Sequence, residues 1–163
     1  MAAVFAFPHP VNEKAARAVA GLVVLLSTAV LVTGSPWLLG LLALGFLARV
    51  AAGPRFSLFG RLATQVIAPR LGPAVPVPGP PKRFAQAVGA TLSIAAFGCL
   101  VTGSPTAALV LVGMITVAAT LESVFAVCLG CVAFGRLQAL GVIPASVCEA
   151  CNDIRLRRPS ATS

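Results

Sequence analysis

Charge is scarce in this sequence. Only 10% of its 163 residues are charged, whereas 58% are hydrophobic. A soluble domain of this size carries charge on about a quarter of its residues, so the composition excludes an ordinary soluble domain and predicts a protein of the lipid bilayer. The net charge of +8 would suggest nucleic acid in a polar chain. In an apolar chain, basic residues are instead concentrated in the cytoplasmic loops of a membrane protein. We therefore expect no nucleic-acid partner.

The residue combinations of soluble enzymes are also missing. His9 is the only histidine, and it stands between Pro8 and Pro10, where we interpret it as an exposed loop residue. There is no Walker motif, dinucleotide fingerprint, Ser–His–Asp set or carboxylate pair. Soluble hydrolytic chemistry therefore has no support in this sequence.

The long apolar stretches are what the sequence does contain. They cover residues 18–33, 37–52, 84–102 and 106–134. A membrane helix needs about 20 residues, so the first two stretches are slightly short. Gly-Ser-Pro, a strong turn signal, separates the stretches at 34–36 and again at 103–105. We predict an all-α membrane protein with four transmembrane helices in two tandem helical hairpins. A cleaved signal peptide at 1–33 is the alternative, but no small-x-small cleavage site follows it.

The two hairpins resemble each other in sequence. Residues 16–36 align without gaps on residues 85–105, VTGSP is identical in both, and FGRL recurs at 59–62 and 134–137. This pattern predicts a duplication, with the copies as parallel repeats around an axis along the membrane normal. The predicted single domain, 1–163, then consists of repeat one (16–62), a Pro-rich linker (68–83), repeat two (85–137) and a Cys-containing tail (138–163).

The basic residues give the orientation. All twelve fall on one side of a four-span arrangement, and the other side has only the two uncharged Gly-Ser-Pro turns. They are Lys14, Arg17, Arg49, Arg55, Arg61, Arg70, Lys82, Arg83, Arg136, Arg155, Arg157 and Arg158. The positive-inside rule therefore predicts that both termini and the 53–83 loop are cytoplasmic. Within that loop, residues 57–71 predict a short interfacial helix, and residues 72–81 an extended connector.

Two ionisable residues lie within the apolar stretches. Arg49 is near the cytoplasmic end of the second stretch, and Glu122 is in the fourth. Buried charges in a membrane usually face a partner, so an Arg49–Glu122 ion pair is one interpretation. The other is that Arg49 extends to the headgroups, while Glu122 is protonated or bonded to a hydroxyl. Cys99, alone in the third stretch, is interpreted as a small core residue.

The remaining four cysteines form the pattern C-x2-C-x16-C-x2-C, with Cys128, Cys131, Cys148 and Cys151. This spacing fits a zinc site with four thiolates and equally fits two vicinal dithiols. Ser146 and Glu149 indicate a short cytoplasmic C-terminal helix with Cys148 in its first turn, where thiolate is favoured. Cys128 and Cys131 are expected near the end of a long fourth helix, where the dipole disfavours thiolate unless a metal or Arg136 compensates.

The predicted topology places these cysteines on the cytoplasmic side, where thiols stay reduced and stable structural disulfides are not expected. Three hypotheses follow. The first is a thiol-redox or sulfur-transfer component that uses the four cysteines as a relay. The second is a non-enzymatic adaptor in which they bind structural zinc. The third is a transporter fragment that works only as an oligomer.

The chain also resembles the uncharacterised bacterial integral membrane proteins of domain-of-unknown-function family 4395. The resemblance rests on VNEKAARAVAGLVVLL, FLARV, PKRFAQAVG, LESVFAVCLGC and the final CEAC. The chain departs from the family pattern at Asn12, where an aspartate is usual, and at Leu58, where a proline is usual. The resemblance implies a multi-pass protein of the bacterial plasma membrane. It also implies association with soluble thioredoxin-like or rhodanese-like proteins.

Overall fold

A computed structural model describes residues 10–148 of the chain, which are almost entirely helical. The helices are α1 (Glu13–Thr33), α2 (Pro36–Ala52), α3 (Leu58–Leu62), α4 (Ala68–Arg70), α5 (Gly79–Val101), α6 (Pro105–Phe125) and α7 (Leu129–Ala139). Two short strands, β1 (Val11–Asn12) and β2 (Pro76–Val77), pair antiparallel. The predicted all-α class is confirmed.

The repeated Gly-Ser-Pro sequence has a direct structural meaning. Gly34 adopts φ +63° directly after α1, and Gly103 adopts φ +83° before α6, a backbone region that suits glycine. Gly34 N–H donates to Val30 O at 2.8 Å, which closes the last turn of α1. The prolines begin α2 and α6, where a helix needs no N–H donor. The same short sequence therefore ends one helix and starts the next in both repeats.

Three helices, α1, α5 and α6, are long and apolar enough to cross a membrane in the described part of the chain, and α2 is apolar but has only 17 residues. The predicted fourth span, 106–134, is wrong in extent, because α6 ends at Phe125 and α7 starts as a separate helix. The linker is also shorter than predicted. Helix α5 already begins at Gly79, since its first turn tolerates Pro80 and Pro81.

The segment between α2 and α5 contains the helix expected for residues 57–71. It comprises α3, a π-helical turn at Ala63–Ile67 and α4, and it packs against α1. Gly60 allows its close approach to the end of α2, because a Cβ there would lie 2.2 Å from Pro54 O. This segment therefore closes one end of the helix bundle.

The helices pack across the two repeats. The most extensive contacts join α2 to α5 and α1 to α6, so each helix of one repeat lies against a helix of the other. The core between them contains Val19, Val23, Val30, Leu39, Leu42, Phe46, Ala90, Ala96, Val112 and Ile115. Gly89 makes room for the Phe46 ring, which its Cβ would meet at 2.3 Å.

The outward-facing residues of these helices are apolar. Exposed side chains include Leu25, Val32, Trp37, Leu44, Val101, Val110, Met114 and Val117. A soluble protein rarely exposes so much contiguous apolar surface. This exterior indicates association with a lipid bilayer.

The left-handed turn at Gly34 makes a testable prediction. Gly34→Ala should reduce the stability of the purified protein by about 1 kcal/mol, because an L-residue at this φ is strained although the space around it is open. Gly98→Ala is the matched control, since Gly98 lies inside α5 with nothing within 4 Å. It should leave stability unchanged or raise it by up to about 1 kcal/mol. Thermal unfolding in detergent measures both, and equal effects of the two substitutions would contradict the assignment of the turn.

Candidate functional site

Charged residues gather at one end of the bundle, where α1 and α5 begin and α2 and α6 end. Arg17 donates from Nε and Nη2 to Ser123 O at 3.2 and 3.1 Å, and Arg83 Nε donates to Val50 O at 3.1 Å. The last carbonyls of a helix have no partner within the helix, so these arginines satisfy the ends of α6 and α2. We call this region the charged end. The turns at 34–35 and 102–104, at the opposite end, carry no charge.

Arg49 is buried at the charged end, with 3% of its surface exposed. Its Nε donates to Gln86 Oε1 at 2.7 Å, its Nη1 donates to Ser57 Oγ at 3.1 Å, and its guanidinium carbon lies 4.6 Å from the centre of the Phe46 ring. Its Nη2 is buried without a hydrogen-bond partner. Arg49 is therefore held firmly by α5 and by the segment after α2, but one of its donors is unsatisfied.

Glu122 pairs with Lys82 and not directly with Arg49. Lys82 Nζ lies 2.5 Å from Glu122 Oε1, and both side chains are mostly buried. The direct Arg49–Glu122 pair expected from the sequence does not form, because Lys82 in the first turn of α5 takes the carboxylate and Gln86 takes Arg49. Glu122 is still close enough for its charge to act on Arg49.

The first cysteine pair lies at the beginning of a helix. Helix α6 ends at Phe125, and Ala126 adopts a left-handed conformation with φ +58°. Cys128 then caps α7, with its Sγ accepting the N–H of Cys131 at 3.2 Å. The expectation that Cys128 and Cys131 end a long helix is therefore wrong. The dipole of α7 favours negative charge on Cys128 instead of disfavouring it.

Cys128 and Cys131 are joined by a disulfide bond, contrary to the expectation from the sequence that no stable disulfide forms. Cys128 is 8% exposed, and Cys131 in the first turn of α7 is more accessible. Arg136, expected to stabilise a thiolate here, lies in the last turn of α7. At 1.5 Å per residue its backbone is about 12 Å along the axis from Cys128, so a direct contact between Arg136 and the sulfur of Cys128 is not expected.

Helix α7 is fixed against α5 by two contacts. The rings of Phe84 and Phe134 meet edge to face with centroids 5.7 Å apart. Gly130, between the two cysteines, lies so close to α5 that a Cβ on it would be 2.5 Å from Ala85 Cβ. The glycine of CLGC thus allows the beginning of α7 to pack closely on α5.

Cys148 lies apart in sequence but is held beside α7. The Gln138 amide donates to the carbonyl oxygens of Pro144, Ala145 and Cys148 at 3.3 to 3.4 Å. Cys148 is buried and disulfide-bonded, and it follows a short 3₁₀ turn at Ala145–Val147. Cys151 and most of the predicted C-terminal helix lie outside the described residues.

The structure from residue 10 to residue 148 does not bring the cysteines together as metal ligands. Within this range no group of three or more His, Cys, Asp or Glu side chains is placed to hold a metal ion. Cys99, on α5, is a half-buried free thiol. Among the described residues, Cys128 and Cys131 form the vicinal cysteine pair.

A family model described as Domain of unknown function (DUF4395) matches residues 11–139. The chain belongs to this family. No curated protein and no solved structure matches the chain. The part shared with the DUF4395 family contains Arg49, Lys82, Glu122 and the Cys128–Cys131 pair, and it ends before Cys148. Because the family description assigns no activity, function must be inferred from the geometry of these residues.

Lys82 and Gln86 are site residues that the sequence reasoning missed as partners of Glu122 and Arg49. The spacing of four places them one turn apart at the start of α5, on the same face of the helix. Gln86 also aligns with Arg17 in the repeat, and both bind polar groups of the other repeat. The repeat alignment was therefore a usable signal for Gln86.

The contact at Gly130 makes a second prediction. Gly130→Ala should push α7 away from α5, reduce stability by about 1 to 3 kcal/mol, and change the rate at which the Cys128–Cys131 disulfide is reduced. Gly135→Ala is the control, because Gly135 lies in the same helix with nothing within 4 Å. Thermal unfolding and timed thiol alkylation measure the two effects. An unchanged reduction rate in Gly130→Ala would show that this packing does not position the disulfide.

Proposed function

We propose that this chain is a membrane-embedded thiol-redox or sulfur-transfer component that works with a soluble thioredoxin-like or rhodanese-like protein. The observation that supports this most is the disulfide between Cys128 and Cys131 at the beginning of α7. The sulfur of Cys131 is the more accessible of the two, and the thiolate of Cys128 would be stabilised by the beginning of α7. That combination suits disulfide exchange.

The exchange proceeds in two steps. A thiolate of the partner attacks Sγ of Cys131, the Cys128–Cys131 bond breaks, and Cys128 leaves as a thiolate. The N–H of Cys131 and the N-terminal dipole of α7 stabilise this leaving group. The partner's second thiolate then attacks the partner's own sulfur in the mixed disulfide and releases Cys131. Two electrons pass from the partner dithiol to the membrane protein, and the partner becomes a disulfide.

Sulfur transfer uses the reduced form of the same pair. The Cys131 thiolate attacks the outer sulfur of a partner persulfide, which leaves a persulfide on Cys131 and a thiolate on the partner. The Cys128 thiolate then attacks the inner sulfur, which forms the disulfide and releases hydrosulfide. The same two residues therefore serve both reactions, and Cys148 and Cys151 would act as the second pair of the relay.

The alternative function is a membrane adaptor in which Cys128, Cys131, Cys148 and Cys151 bind structural zinc. Zinc coordination needs thiolates. The disulfide state of Cys128 and Cys131 offers none, which favours the redox proposal. Zinc content and thiol reactivity separate the two functions.

We further propose that α1, α2, α5 and α6 all cross the plasma membrane of a bacterium, with both termini cytoplasmic. At 1.5 Å per residue, α2 is about 25 Å long, slightly less than a hydrocarbon core. Trp37, 86% exposed, stands at one end of α2, as is typical of an interfacial anchor. Arg49 stands near the other end. The contacts that gather basic residues at the charged end support its cytoplasmic location.

Orientation is tested with single-cysteine variants, built after the native cysteines are replaced by serine. Ser35→Cys, in the turn opposite the charged end, should react with a membrane-impermeant maleimide in intact cells. Leu140→Cys, just after α7 and 77% exposed, should react only after permeabilisation. The reverse pattern would overturn the orientation, and labelling of both sites in intact cells would exclude the four-span topology.

Redox function is tested with reduced thioredoxin as the probe. The purified chain should oxidise thioredoxin, and a thioredoxin without its resolving cysteine should be trapped on Cys131, as mass spectrometry of the adduct would show. Cys99→Ser should react like the wild type, and the double variant Cys128→Ser/Cys131→Ser should react much more slowly, because it retains only the second cysteine pair. An equal rate in that double variant would refute the proposal. One equivalent of zinc, lost in Cys128→Ser and Cys151→Ser, would establish the adaptor function instead.

A further inference from the structure

A cavity of about 170 Å³ lies at the charged end, away from the cysteines. Its wall includes Asn12, Ala16, Arg49, Lys82 and Gln86. We call it the Arg49 cavity. We propose that it binds one small oxyanion of the phosphate or sulfate type, either free or as the headgroup of a phospholipid.

The first argument is an uncompensated buried charge. Only 3% of the surface of Arg49 is exposed, and its Nη2 has no hydrogen-bond acceptor. The ion pair beside Arg49 joins Lys82 to Glu122. Lys82 takes the carboxylate of Glu122, so Arg49 has no anionic partner of its own and the group of these three residues has a net positive charge. A buried cation without a partner is costly, so an anion beside Arg49 would stabilise the fold.

The second argument comes from the two amides in the wall. Gln86 Oε1 accepts from Arg49 Nε at 2.7 Å. Asn12 Oδ1 accepts from the backbone N–H groups of Lys14 and Val75 at 3.1 and 3.3 Å. Since arginine and backbone N–H groups only donate, these contacts fix which side of each amide is the oxygen. Gln86 and Asn12 therefore contribute NH₂ donors to the polar part of the wall.

The third argument is the direction of the donors. Arg49 Nε donates to Gln86, so the fork formed by Nε and Nη2 is not free to bind a planar carboxylate with two parallel hydrogen bonds. The remaining donors come from three elements: Asn12 from β1, Arg49 from α2, and Lys82 with Gln86 from α5. Donors on several sides suit a tetrahedral oxyanion. A whole phospholipid is too large for a cavity of about 170 Å³, so a lipid would insert only its phosphate group.

The proposal is tested with the full chain in detergent. Sodium phosphate and sodium sulfate are titrated against sodium chloride at equal ionic strength, and thermal unfolding and calorimetry are recorded. We expect saturable stabilisation with one site per chain. Native mass spectrometry from phosphatidylglycerol nanodiscs then asks whether one lipid is retained. Binding of the inorganic anions indicates a free ligand, whereas retention of the lipid alone indicates a headgroup, and each result supports an oxyanion site.

Three variants separate this site from nonspecific charge effects. Lys82→Gln should weaken binding by about tenfold or more, because it removes a charged donor. Glu122→Gln should strengthen binding several-fold, because it removes the competing carboxylate. Arg136→Gln, on α7 outside the cavity, should have no effect.

Ala16→Leu provides a test that leaves every charge in place. The larger side chain should fill the cavity and abolish anion binding without reducing stability, so it remains informative if a charge variant fails to fold. Absence of stabilisation by both inorganic anions together with no retained lipid would overturn the proposal. Affinities that are the same in the wild type, Glu122→Gln and Ala16→Leu would also overturn it.

Discussion

The structure depends on how the helix ends at the charged end are satisfied. In an apolar environment a free backbone carbonyl is costly, and the ends of α2 and α6 each leave such groups. Arg83 of α5 binds the end of α2, and Arg17 of α1 binds the end of α6. Each repeat therefore satisfies a helix end of the other. This exchange holds the two repeats together and brings the basic residues to one end of the bundle.

The burial of Arg49 follows from this arrangement. Because α5 lies along α2, Gln86 faces Arg49 and Lys82 reaches Glu122. Among the described residues of this interior, Arg49 and Lys82 are accompanied by one carboxylate, that of Glu122. The charged end therefore joins the two repeats and is also suited to binding an anion. The same helix presents Phe84 and Ala85 to α7. Neighbouring residues of α5 thus support the Arg49 cavity on one side and the disulfide on another.

The turns and helix boundaries of the chain were predictable from the sequence, whereas the contacts between side chains of different helices were not. Gly34 and Pro36 encode their turn through backbone conformation alone, so the boundaries of α1 and α2 follow from local chemistry. The sequence placed Glu122 within the fourth apolar stretch but suggested Arg49 as its partner, because the actual pairing with Lys82 depends on how α5 packs. The end of α6 was missed for a related reason. No glycine or proline marks Ala126, and the break there accompanies the packing of Gly130 on Ala85.

The position of that break decides what the cysteines can do. Had α6 continued to Phe134, Cys128 would face the negative end of a helix dipole, and a thiolate there would be unfavourable. Because a new helix begins at Leu129, Cys128 lies at the positive end of a helix dipole instead. The N–H of Cys131 also donates a hydrogen bond to the sulfur of Cys128. When the repeats are aligned on FGRL, the positions of Cys128 and Cys131 correspond to Gly53 and Phe56 in repeat one. There, Pro54 packs tightly against Gly60 and closes the bundle. The equivalent segments thus have different roles, with structural packing in repeat one and, by our proposal, thiol chemistry in repeat two.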